Sequence, residues 1–116
     1  MQISVDDNDG DRNNLTLWGS GDALVQNISA VCPNTIVVMH STGPTLLTDW
    51  YDNDNITAIL WAGVPGQESG NAISDVLYGR INPAGRTPFT WARTREDYGA
   101  DVLYEPNNGN GAPQEK

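Results

Sequence analysis

Cations are scarce in this chain. Six Lys and Arg stand against 15 Asp and Glu, a formal net charge of −9 over 116 residues. Nucleic-acid phosphates draw on Lys and Arg, so the balance argues against a nucleic-acid partner. It argues equally against an anionic membrane surface. Cysteine is scarcer still: Cys32 is alone, and an internal disulfide is excluded. Between Val31 and Pro33 it reads as a small buried hydrophobe rather than a nucleophile. Long apolar runs are absent too, none approaching the roughly 20 residues of a membrane-spanning helix. Met1-Gln2-Ile3-Ser4-Val5-Asp6 has neither a basic start nor an apolar stretch, so no signal peptide is expected. The length allows one domain at most and excludes a barrel of eight strands and eight helices.

What remains is an alternation of apolar segments and turns. Residues 6–14 are a polar loop of Asp, Asn and Gly. Gly21 to Val31 reads as a helix with Ala23, Leu24, Ile28 and Val31 on one face and Asp22 near its positive end. Thr35-Ile-Val-Val-Met-His40 is a β-branched run, expected as a strand buried on both faces. Pro44 opens a short helix through Leu46, Leu47 and Trp50. Thr57-Ala-Ile-Leu-Trp61 is a second buried strand. Ser69 is the expected N-cap of a helix bearing Ala72, Ile73, Val76 and Leu77, with Gly79 as its stop. Thr87 to Trp91 reads as a short extended segment.

Buried strands alternating with helices specify an α/β fold: a small, mostly parallel sheet with helices on both faces. Residues 1–103 are assigned to this domain and 104–116, rich in Gly, Pro and Asn, to a linker or disordered tail. With two clear strands, a sheet edge lacks a neighbour, so self-association is expected.

Several chemical patterns fail on inspection. Asp6, Asp7, Asp9 and Asp11 invite a calcium reading, but an EF-hand register would put Val5 first and Thr16 last. His40 and Ser41 close the first strand, where open parallel sheets bind ligands. Neighbours on a strand point apart, and no nucleophile elbow surrounds Ser41. Gly63-Val-Pro-Gly-Gln-Glu-Ser-Gly70 lacks the spacing and the Lys of a phosphate loop. Gln67 and Glu68 there are expected to hold backbone amides of the turn and helix start. Four Trp suit sugar stacking, core packing or a partner interface, with Trp18 and Trp61 the stacking candidates. Asn14, Asn27 and Asn55 each open an Asn-x-Ser/Thr glycosylation triplet, which points to a secreted parent. No metal or other cofactor is implied.

Ala58 through Pro88, continuing into Phe89-Thr90, resembles the C-terminal α/β domain of family 3 glycoside hydrolases, the fungal secreted β-glucosidases above all. Gly10-Asp11-Arg12-Asn13-Asn14-Leu15 and Glu105-Pro-Asn-Asn-Gly-Asn-Gly-Ala-Pro-Gln114 extend the likeness across nearly the whole chain. The resemblance implies a truncated sandwich domain of a retaining enzyme that removes terminal β-linked glucose from cellobiose or aryl glucosides. It implies a missing barrel domain as partner, bearing the nucleophilic Asp. The family's acid/base Glu falls immediately before Met1, so no catalytic residue is assigned here and little or no activity is expected of the chain alone. Asp11, Arg12, His40 and Glu68 become candidates for supporting the active-site loop. The rival expectation is a stand-alone, non-catalytic module binding carbohydrate or protein. A weaker third is a small hydrolase using acids of the 6–11 loop.

Overall fold

The computed structural model describes residues 14–99. Helix α1 spans Gly21–Ser29, strand β1 Thr35–Met39, strand β2 Ile56–Trp61 and helix α2 Ser69–Leu77. The two strands pair in parallel, Val37 opposite Ile59 and Met39 opposite Trp61. A parallel pair requires a crossover, and residues 40–55 supply it. The α/β class and the parallel sheet are as the sequence implies. The Asp6–Asp11 loop, Arg12 and the 104–116 tail lie outside the described residues.

Helix α1 is entered through Gly19 and Ser20, both at positive φ (64° and 61°). Gly21 must be glycine for a different reason: a Cβ there would sit 2.7 Å from Leu17 Cβ. The expected dipole role of Asp22 is joined by a connecting one. Its carboxylate accepts the Leu17 amide at 3.0 Å and the Trp50 indole N–H at 2.8 Å. At the far end Ser29 is fully buried. Asn55 Nδ2 donates to its carbonyl and Asn53 Nδ2 to its hydroxyl. Side chains of the crossover thereby satisfy groups left open at a helix end.

The buried core is Val37 and Met39 from β1 with Leu47 and Trp50 from the crossover. Leu17, Val25, Ile56, Ile59, Trp61 and Trp91 pack around it. Strand alternation puts Val37, Met39, Ile59 and Trp61 on one sheet face.

Four expectations change. Helix α1 turns Val25, Asp22 and Ser29 inward, while the apolar stripe expected to face the core is outside: Leu24 is 63% exposed and Val31 80%. Inward placement follows from the polar ties of Asp22 and Ser29 to the crossover, which fix the helix rotation. Strand β1 is covered on one face, and Ile36 on the other is 47% exposed. The helix expected after Pro44 does not form: the Leu46 amide donates to Leu15 O at 2.8 Å, and only a turn at 48–52 follows. Thr87–Trp91 is likewise not a strand.

Helix α2 begins one residue off expectation, with Glu68 rather than Ser69 in the cap position and no side-chain cap. Its end is as expected. Gly79 adopts φ 71°, its amide bonds Val76 O, and the Arg80 amide bonds Asp75 O at 2.8 Å. This is the Schellman pair of bonds that a left-handed residue after a helix permits. No α2 residue joins the buried core.

Candidate functional site

An open cleft of about 400 Å³ lies on the covered sheet face, within the usual size range of ligand pockets, about 300–1,000 Å³. Ile59 and Trp61 of β2 form its floor. One wall is Leu47, Thr48, Tyr51 and Asp52, and the other is Thr87, Trp91, Ala92 and Arg93. The walls are joined where Thr48 Oγ1 donates to Arg93 O at 2.6 Å. Tyr98 braces the second wall: Ala92 N donates to its Oη, which donates to Thr90 O.

The cleft aromatics are held from behind. The Trp61 indole N–H donates to Ser41 Oγ at 2.9 Å, and Ser41, itself buried, donates to Gly43 O at 2.8 Å. Phe89 meets Trp61 edge-on at 5.0 Å between centroids and Trp91 at 4.9 Å. Edge-to-face contacts of this kind add favourable energy beyond burial. Asp52 and Arg93 side chains make no hydrogen bond or ion pair among the described residues.

Of the candidate site residues that are described, Trp61 lines the cleft, as does Trp91 among the four tryptophans, while Trp18, His40 and Glu68 are not among its lining residues. Trp18 is 68% exposed in a 3₁₀ turn, Trp18–Ser20. His40 is half-buried just past β1. Glu68 is exposed and accepts from Asn71 Nδ2 at 2.5 Å, rather than holding the backbone amides expected of it. Asp11 and Arg12 lie outside the described residues. Asn14 is exposed, its Oδ1 accepting from the amide and hydroxyl of Thr16. Asn27 is exposed on α1, and Asn55 is half-buried in its bond to Ser29. No cluster of three or more metal-ligating side chains occurs among the described residues.

Sequence reasoning missed Tyr51, Asp52 and Arg93. They come from segments some 40 residues apart, and no local pattern announces the meeting. The one usable signal was the count of Trp.

The family model for the glycosyl hydrolase family 3 C-terminal domain matches residues 2–115. The chain belongs to glycoside hydrolase family 3. The resemblance read from the Ala58–Pro88 stretch is thereby borne out. Beta-glucosidase 1 of Aspergillus aculeatus is 64% identical over 113 residues. A protein named "Probable beta-glucosidase A" in Aspergillus fumigatus is 66% identical. Among solved structures, a family 3 beta-glucosidase from Neurospora crassa superposes with TM-score 0.81 at 75% identity, covering 97% of this chain. Beta-D-glucoside glucohydrolase from Trichoderma reesei gives 0.80 at 43% identity, covering 89% of it. The family 3 chain spans about 13% of the length of the curated relatives it matches.

Proposed function

We propose that this chain is part of a secreted β-glucosidase that removes terminal β-D-glucosyl residues from cellobiose or aryl glucosides with retention of configuration. One observation carries the reading: identity of 60–66% to fungal proteins named beta-glucosidase runs along 97% of the chain. Retaining hydrolysis needs two carboxyl groups about 5–5.5 Å apart. The proposal assigns that pair to the larger protein and gives this chain a supporting part, with no cofactor.

In this reading Asp11, Arg12, His40 and Glu68 support the active-site loop without touching the scissile bond. Exposed Leu24 and Ile28 on α1, with Val31 in the turn just after it, are the contact to the rest of the parent, its barrel domain included. An apolar stripe left in water is the usual mark of such a contact.

The test is a segment exchange. The 113 matching residues of Beta-glucosidase 1 of Aspergillus aculeatus are replaced by those of this chain. Hydrolysis of an aryl β-glucoside by the chimera, at a rate near that of the unaltered enzyme, is expected. A folded chimera without turnover contradicts the proposal.

A further inference from the structure

We propose that the outer edge of strand β1 is a docking surface for a second copy of this chain, the two β1 strands pairing antiparallel into one continuous sheet. The directions of the β1 backbone groups define that surface.

Thr35 N donates to Asn55 O at 2.8 Å, and Met39 O accepts from Ala62 N at 2.9 Å. Asn55 and Ala62 flank β2, so Thr35, Val37 and Met39 turn their backbone groups toward that strand. Alternation turns the N–H and C=O groups of Ile36 and Val38 the other way. The sheet of the described residues consists of β1 and β2, so no strand in it answers those groups. Donors and acceptors left open along a strand are a template for another chain.

The open pattern is complementary to itself. A two-fold axis beside Val37 sets Ile36 opposite Val38 of the second copy, and Val38 opposite Ile36 of the second copy. Residues so placed exchange both N–H···O bonds in an antiparallel ladder. Every outward backbone group of Ile36 and Val38 is then used. Their side chains share the uncovered face, where Ile36 is 47% exposed. The same register therefore sets isoleucine against valine across the junction, a favourable cross-strand pair. A contact that uses the same patch on both copies closes on itself as a dimer.

Strand β1 lacks the features that guard an edge. Asn34 through His40 contains no Asp, Glu, Lys, Arg or Pro. Its register is regular as well: the shift between Thr35 and Ile36 puts the extra residue, Thr57, in β2. Such a bulge twists a strand away from further pairing, which leaves the β2 side the poorer edge. The net charge of −9 opposes bringing two copies together. The neutral β1 edge adds nothing to that repulsion. Added salt screens the repulsion and leaves the backbone bonds and apolar pairs in place, so the dimer is expected to tighten as salt rises.

Pairing at this edge goes beyond the enzymatic reading and is independent of it, because hydrolysis is measured on the chimera. The purified 116-residue chain is followed by sedimentation equilibrium across the micromolar range. Amide exchange is read residue by residue in dilute and concentrated samples. A monomer–dimer equilibrium is expected. The Ile36 and Val38 amides are expected to exchange about tenfold more slowly in the concentrated sample, while the Val37 and Met39 amides, which face β2, are slow in both. Val38→Pro removes an outward N–H and no bond to β2, and is expected to weaken the dimer by about tenfold. Ile36→Lys, at an exposed position, keeps the test open if proline unsettles the strand. It lowers the net negative charge, yet it is expected to weaken the dimer by placing a charge on the edge. In the Leu24→Lys/Val31→Lys background, association beyond the dimer is expected to fall and the dimer to remain. A monomer at every concentration overturns the proposal. So does a dimer whose Ile36 and Val38 amides stay unprotected, or one that both Val38→Pro and Ile36→Lys leave intact.

Discussion

Trp50 and Asp22 are joined by a 2.8 Å bond from the indole N–H to Oδ1, and this bond sets the rotation of helix α1 on the core. Trp50 is buried, and the other oxygen of the same carboxylate takes the Leu17 amide. The core tryptophan, the helix start and the segment before it therefore meet on one side chain. Asp22→Ala leaves two donors without acceptors and is expected to cost about 1–3 kcal/mol per buried donor. Asp22→Asn keeps one acceptor and is expected to fall between. Urea unfolding of the three proteins gives the ranking.

Gly21 and Gly70 make a contrasting pair. A methyl group at Gly21 would meet Leu17 Cβ at 2.7 Å, and neither backbone yields easily. Gly21→Ala is expected to destabilise by about 1–3 kcal/mol. At Gly70, in the first turn of α2, nothing lies within 4 Å of the added carbon. Gly70→Ala is expected to stabilise by about 0.4–1 kcal/mol through the unfolded chain. Opposite shifts in thermal midpoint are the check.

The outward stripe of α1 makes a prediction about association. Leu24→Lys with Val31→Lys removes two exposed apolar side chains without touching the core. The isolated chain is expected to sediment at lower mass than the unaltered chain at high concentration, with an unchanged unfolding midpoint. A loss of stability equal to a core substitution would show that α1 packs through this stripe after all.

Asn55 tests the clasp at the other end of the helix. Asn55→Ala strips the Ser29 carbonyl of its donor and is expected to cost about 1–3 kcal/mol. Asn27→Ala, at an exposed position one turn away, is expected to change stability by less than about 0.5 kcal/mol. Equal effects would argue against the clasp.

Local signals were legible in the sequence. The β-branched runs at Thr35–Met39 and Ile56–Trp61 became the two strands, and Gly79 stopped α2 because only a left-handed residue closes that helix end so readily. What failed depended on partners elsewhere in the chain. The periodicity of α1 reported an apolar face correctly but not what that face would meet. Asp22 and Ser29, polar residues with specific partners in the crossover, took the inner side. Pro44 signalled a helix, yet the Leu46 amide was claimed by Leu15. The cleft was illegible for the same reason: Asp52 and Arg93 become neighbours of Trp61 only after the crossover and the 87–93 segment fold over β2.

The most direct test is hydrolysis of an aryl β-glucoside by the purified 116-residue chain, beside Glu68→Gln and Asp11→Asn variants. No turnover above a mock purification is expected from any of the three, because the catalytic pair is assigned to the larger protein. Turnover that either substitution abolishes would mean that the chain carries its own catalytic carboxylate, and the assignment of catalysis to the rest of the enzyme would be wrong.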